Sequence, residues 1–203
     1  MFQWLKDQFK KDEKKPLKLI LLDRDGVINH DSDEYIKSPG EWQPIPGSLD
    51  AIAKLTQNGY TIAVVTNQSG LARKLFDENT LAEIHDKMQA MVIKHGGKID
   101  KIVYCPHHPD DNCECRKPKI DLLKQLQQHY QHSLQDVYFV GDSLKDLQAA
   151  EQVGAIGILV LTGKGNKTFS ELKEKNIQVP VFRNLETAVN AIIKNNVVSF
   201  EHA

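Results

Sequence analysis

Residues 19–26 read Leu19-Ile20-Leu21-Leu22-Asp23-Arg24-Asp25-Gly26. An apolar run closing on an acidic turn and a glycine has the pattern of a buried parallel strand that ends in a tight turn. Along a strand, residues i and i+2 share a face about 7 Å apart, so Asp23 and Asp25 are expected to point the same way at the carboxyl end. That end is where open α/β sheets bind their ligands. Two co-oriented carboxylates suit a divalent cation, or a nucleophile working beside a general acid. The plainer reading is a polar turn after a strand, and the endings of the other strands decide between the two.

Outward from this stretch, strand and helix alternate. Residues 1–16 are Lys-rich, with Trp4, Leu5 and Phe9 as anchors of a short helix. They read as a loosely packed extension set off by Pro16, with a recruitment helix as the alternative. The first strand is expected over 17–23. A loop over 27–46 follows, too long for a simple turn, carrying Asn29, His30, Asp31, Asp33, Glu34, Tyr35 and Trp42. It is either a substrate-facing loop or a solvated connector. A helix opens at Pro46-Gly47-Ser48 and stops at Asn58-Gly59. The second strand, over 60–65, ends in Thr66-Asn67-Gln68-Ser69-Gly70. Asp77 caps a helix running to about His95, with Leu81, Ile84, Met88, Met91 and Val92 at helical spacing.

A third strand is expected over 99–104. Pro118 stands where a first helical turn would take it, ahead of Leu122, Leu123 and Leu126. The fourth strand, over 137–140, ends in Gly141-Asp142-Ser143. A helix over 144–153, a strand over 155–161, a strand near 179–182 and a helix over 185–193 complete the pattern. Residues 17–203 are therefore expected to form one α/β domain. Its sheet should be doubly wound and mostly parallel, with helices on both faces and no large cap domain.

The bulk numbers exclude several classes of partner. A chain of 203 residues, 40% hydrophobic and 26% charged, has the balance of a soluble globular protein. Its net charge of -1 argues against a polyanion-binding surface, so no nucleic acid is expected as partner. No apolar run approaches the ~18 residues of a membrane span, and Met1-Phe2-Gln3-Trp4-Leu5 gives way at once to charges rather than to a signal peptide. A cytoplasmic protein is expected. All three cysteines lie between positions 105 and 115, a poor disulfide framework.

Those cysteines form a second constellation, Cys105-Pro106-His107-His108 followed by Cys113-Glu114-Cys115. Cys-X-His and Cys-X-Cys supply three thiolates and one imidazole, the soft tetrahedral set that Zn²⁺ takes. Cys105, His107, Cys113 and Cys115 fill all four positions, so the site reads as structural, with His108 a bystander. Free buried cysteines are the alternative. Arg116-Lys117-Pro118 follows immediately, so a zinc-held loop should also fix Arg116 and Lys117.

Taken together, Asp23 and Asp25 after the first strand, Thr66 after the second, Lys117, and Asp142 with Asp146 after the fourth resemble the haloacid dehalogenase superfamily of phosphohydrolases. The resemblance covers about residues 17–165. It implies that Asp23 attacks phosphorus to form an aspartyl-phosphate and that Asp25 protonates the leaving oxygen, arriving protonated. It implies Mg²⁺ held by Asp23, the backbone carbonyl of Asp25, and Asp142. Thr66 and Lys117 would hold the phosphoryl oxygens, and Asp146 would orient Lys117 or a water on the metal. With the zinc loop, the motifs look like the heptose bisphosphate phosphatases, the histidinol-phosphate phosphatases being similar in the same positions. The implied substrate is a small phosphorylated sugar, handled by a monomer. Arg116 would meet its distal end, and Asp31, Tyr35, Asn67, Gln68 and Ser69 would line the entrance. Ser143 stands where some members carry Lys, which removes one cation for a second phosphate. A zinc-stabilised binding domain without catalysis is the reading from a different class.

Overall fold

A computed structural model describes residues 17–197; the expected extension at 1–16 lies outside the described residues. Six strands form one sheet: β1 (Lys18–Leu22), β2 (Tyr60–Asn67), β3 (Lys101–Cys105), β4 (Tyr138–Gly141), β5 (Ile156–Val160) and β6 (Val181–Phe182). Every pairing is parallel, in the order β3-β2-β1-β4-β5-β6. The connecting helices are α1 (Ser48–Gln57), α2 (Glu78–Lys94), α3 (Asp121–Tyr130), α4 (Leu144–Gln152) and α5 (Gly165–Glu174), and α6 (Leu185–Ile193) ends the fold.

The continuous apolar character of β1 follows from burial on both faces. Ile20 and Leu22 pack with Ile62, Val64 and Val140 against α1, α2 and α6. Leu19 and Leu21 pack with Ala63, Val65 and Phe139 against α3 and α4. A smaller cluster of Leu147, Leu159, Leu172 and Val181 closes the β5–β6 edge under α5. The sheet is doubly wound, and all six carboxyl ends lie on one edge.

Two helices depart from the sequence reading, and one loop it left open is partly buried. Helix α3 starts at Asp121 rather than at Pro118, because Lys119 N–H bonds back to Arg116 O and Asp121 N–H to Glu114 O, closing turns before the helix. Helix α5 has no counterpart among the expected elements. Only Gly165, Thr168 and Leu172 are buried along it, too few to produce a clear apolar stripe. The loop over 27–46 is not a solvated connector throughout, since Trp42, Val27 and Ile28 are fully buried and Ile36 and Ile45 nearly so. Asp77 caps α2 as expected, accepting a bond from Thr80 N–H at 2.8 Å. Among the described residues no helix is long and apolar enough to cross a membrane.

Candidate active site

The polar residues at the strand ends meet at the carboxyl edge. Strand β1 ends at Leu22, but Asp23 N–H still bonds to Val140 O at 2.9 Å, carrying the ladder one residue further. The chain then turns, with Arg24 O accepting from the N–H groups of Val27, Ile28 and Asn29. The convergence of Asp23 and Asp25 is thus the work of this turn, not of strand alternation. Gly26 makes it feasible: its φ is +81°, and a β-carbon there would collide with the Asp142 carboxylate.

Asp23 Oδ1 is held by Lys117 Nζ at 3.0 Å and by the Arg24 N–H at 2.7 Å. Lys117 is almost fully buried and also reaches Asp146 Oδ1 at 2.6 Å and Val65 O at 2.7 Å. Burial alone would discharge the ammonium, but Asp146 and Asp23 outweigh it and push its pKa up. Asp146 is itself fixed, its Oδ2 accepting from Ser143 N–H and Oγ in the box that caps α4. Asp142 Oδ2 accepts from Lys164 N–H at 2.8 Å, and Thr168 Oγ1 donates to Asp142 O at 2.9 Å.

Three carboxylates therefore face one ammonium. Burial and the neighbouring Asp146 push Asp142 up to about 7. Burial also raises Asp23 well above the usual carboxylate range, with Asp146, Asp142 and Asp25 adding to it and Lys117 opposing it. Ligand oxygens of Asp23, Asp142 and Asp146 lie within 4.8 Å of one another. A crowded set of hard oxygen donors with surplus negative charge fits a divalent cation such as Mg²⁺.

Asp25 is pulled in the opposite direction from Asp23 and Asp142. Burial raises its pKa, but the Arg24 guanidinium and hydrogen bonds from Asn29 and Gln68 outweigh this and lower it. That direction favours the carboxylate, so an acid role for Asp25 needs its proton delivered as the substrate enters. Thr66, almost fully buried, accepts from Gln68 Nε2 at 2.8 Å. Gln68 also donates to Asp25 Oδ2 at 2.8 Å, so its amide serves the interior of the site more than the entrance. Asn67 is likewise committed: its side chain pairs with Lys117 N–H and Lys117 O at 3.1 and 3.2 Å, as a neighbouring strand would.

All of Asp23, Asp25, Asp31, Tyr35, Thr66, Asn67, Gln68, Ser69, Arg116, Lys117 and Asp142 border a single cavity of about 660 Å³. Sequence reasoning missed Lys145, Lys164 and Lys167 on its rim. Lys164 reaches across it to Asp31 at 3.1 Å. Arg116 Nη1 is buried without a partner. Burial, then the charges of Arg116 and Lys164, lower the pKa of Lys145. The mouth thus carries four cations, Arg116, Lys145, Lys164 and Lys167, against Asp31, Asp33 and Glu171, while carboxylates dominate the floor. Ser143, where a cation is absent, uses its hydroxyl on Asp146.

Beside the cavity, Cys105, His107, Cys113 and Cys115 form the other donor cluster. The sulfurs are 3.2–3.5 Å apart and His107 Nδ1 is 3.2 Å from Cys115 Sγ. This is too long for a disulfide and close to the ~3.8 Å edge of a tetrahedron with ~2.3 Å metal–sulfur bonds. His108 points away and accepts from Asp110 N–H. The loop is stitched to the site by Gln68 N–H to Cys105 O at 2.7 Å and by the Asn67 clamp on Lys117.

The chain resembles known proteins over most of its described length. The family model described as Polynucleotide kinase 3 phosphatase matches residues 18–175. A Pseudomonas putida D-glycero-beta-D-manno-heptose-1,7-bisphosphate 7-phosphatase is 55% identical over 155 residues, covering 76% of this chain and 89% of that protein. The Pseudomonas aeruginosa protein of the same name is 48% identical, covering 87% of this chain and 98% of its own. The crystal structure of D,D-heptose 1,7-bisphosphate phosphatase from B. bronchiseptica, complexed with magnesium and phosphate, superposes with a TM-score of 0.84. It is 48% identical and covers 88% of this chain and 99% of that one.

Proposed function

Because this chain belongs to the D-glycero-β-D-manno-heptose-1,7-bisphosphate 7-phosphatases of the haloacid dehalogenase superfamily, we propose that it removes the 7-phosphate of that sugar bisphosphate. The reaction would run through an aspartyl-phosphate on Asp23 and serve synthesis of heptose precursors of lipopolysaccharide core. The observation that carries this reading is Asp23 itself. It is a buried carboxylate with one oxygen tied to Lys117 and Arg24 N–H, beside Asp25 and Thr66, on the floor of a cation-rimmed cavity.

Asp23 Oδ2 has no hydrogen bond among the described residues and attacks phosphorus while Oδ1 is anchored. Lys117 and the Thr66 hydroxyl face the phosphoryl oxygens as charge builds there. Asp25, protonated as the substrate enters, gives that proton to the leaving sugar oxygen, then takes one from the water that hydrolyses the acyl-phosphate. Asp23, Asp142 and the Asp25 carbonyl would hold Mg²⁺, which supplies the positive charge that lets an anionic nucleophile approach an anionic phosphate. Arg116, Lys145 and Lys164 hold the distal 1-phosphate, with Asp31 and Tyr35 beside the sugar. Cys105, His107, Cys113 and Cys115 hold a structural Zn²⁺.

The test is Mg²⁺-dependent phosphate release from heptose 1,7-bisphosphate, heptose 7-phosphate, fructose 1,6-bisphosphate, histidinol phosphate and a 3′-phosphorylated DNA end. The heptose bisphosphate is expected to lead in kcat/KM by about 10-fold or more. A lead by histidinol phosphate or the DNA end would replace the substrate. Binding without release from any of them would make the chain a non-catalytic zinc-stabilised domain.

A further inference from the structure

Behind Asp25, a buried chain of polar groups runs from the cavity wall at Arg24 and Gln68 to His85, which lies outside the lining and which the reaction as described does not use. Arg24 is 1% exposed, although it stands between two site aspartates in the sequence. Its Nε and Nη2 grip Asp25 at 3.0–3.2 Å, and Nη2 also donates to Gln68 Oε1 at 3.0 Å. Its Nη1 reaches in the opposite direction, to Nε2 of His85 on α2 at 3.1 Å. A guanidinium can only donate, so His85 Nε2 is the acceptor and the ring is neutral. Burial and the Arg24 charge both keep it so, lowering its pKa to about 4. The ring is 8% exposed and lies 6.0 Å from that of Tyr104 on β3, so it has little freedom to turn.

We propose that His85 is a positioning residue for the general acid: by accepting from Arg24 Nη1 it fixes the guanidinium plane, which fixes the Asp25 carboxylate toward the leaving oxygen. Asn29 Nδ2 and Gln68 Nε2 complete the cradle from either side, at 2.8 Å each. His85 touches neither substrate nor reacting atoms. With it replaced by an apolar group, Nη1 has no acceptor in a buried site, and the fork turns to find one. The carboxylate held by that fork turns with it.

This inference rests on the reading of Asp25 as the acid, and its test separates the two. In the first half-reaction the bond from phosphorus to the leaving oxygen breaks and the bond to Asp23 forms. The Asp25 proton goes to the departing oxygen. A sugar alkoxide needs that proton, whereas nitrophenolate leaves without it near neutral pH. Hydrolysis of the aspartyl-phosphate is common to both substrates, so kcat/KM, which stops at the first irreversible step, isolates the difference.

The readout is the ratio of kcat/KM for heptose 1,7-bisphosphate to that for p-nitrophenyl phosphate. His85→Leu is expected to lower this ratio by about 10- to 100-fold, the scale of a misplaced catalytic group. His85→Gln, whose amide oxygen can accept from Arg24, should restore it to within a few-fold. Arg24→Lys is the second variant should His85→Leu fold poorly. One ammonium cannot span Asp25 and His85 together, so the ratio should fall there too. Asp25→Asn sets the scale of complete loss. Should Asp25→Asn lower the ratio while His85→Leu and Arg24→Lys slow both substrates alike, His85 is mere packing and the inference is overturned. An unchanged ratio in Asp25→Asn would overturn the acid assignment, and this inference with it.

Discussion

Lys117 shows how one side chain comes to depend on residues far from it in the chain. Its ammonium joins Asp146 on α4 to Asp23 just beyond β1, with all three side chains largely buried. Lys117→Met leaves both carboxylates buried without their cation. It is expected to cost about 3–5 kcal/mol of stability, read as a lower melting temperature in metal-free buffer. His85 makes a different kind of contribution. Its pKa falls from 6.5 to about 4 on folding, so the folded state favours the neutral ring. The stability this confers is fully present above about pH 6.5 and is lost as the pH falls toward 4, about 3 kcal/mol in all. Urea midpoints at pH 7.5 and 4.5 should therefore converge in His85→Gln relative to the native chain. Residues at strand ends, such as Asp23, Thr66 and Asp142, are legible in the sequence because strand periodicity locates them. His85 is not: its contact with Arg24 spans 61 positions, and on an amphipathic helix it resembles any half-polar residue. Nor is the proton affinity of Asp25, which depends on the side chains of three partners.

Elements hold these residues to the tolerances that chemistry needs. Helix α5 leaves almost no trace in the sequence, being short and sparsely apolar, yet its first turn supports Asp142 at both ends. Lys164 N–H takes the carboxylate and Thr168 Oγ1 takes the carbonyl. Thr168→Val removes the second bond without changing volume much. Loss of such an outer contact commonly weakens metal affinity about 10-fold or more, so a Mg²⁺ titration of activity should shift its half-saturation by that factor. The cysteine loop, by contrast, is fully legible, since four soft donors in two X-spaced pairs rarely fall within eleven residues unless they hold a metal. Its tie to catalysis runs through Asn67, whose amide pairs with Lys117 as β2's next neighbour would. Stripping the thiolate metal with a soft-metal chelator is expected to lower kcat while the Mg²⁺ half-saturation stays nearly constant. Full activity in protein shown by elemental analysis to be metal-stripped would disconnect the loop from turnover.

At the scale of the whole molecule, charge is distributed rather than abundant. A chain of net charge -1 gathers Arg116, Lys145, Lys164 and Lys167 around one mouth, where they outnumber Asp31, Asp33 and Glu171, above a floor of carboxylates. A local field of this kind acts over about 8–10 Å at ordinary ionic strength and weakens as salt rises. KM for the heptose bisphosphate should therefore climb more steeply between low and high salt than KM for heptose 7-phosphate. Net charge alone could not reveal this, because it averages a cationic rim against an anionic floor. The strand order has a consequence of another sort. β1 lies between β2 and β4, and Asp23 is held by Val140 O, Lys117 and the Arg24 turn. As the polypeptide leaves the ribosome, Asp23, the residue we propose carries the phosphoryl group, emerges well ahead of its partners. Its surroundings are complete only once Asp142 and then Lys164 have followed, more than a hundred residues later. On that assignment the enzyme is born inert, and a message broken between those points is expected to yield a fragment that leaves phosphate esters intact, even where it is long enough to collect a soft metal.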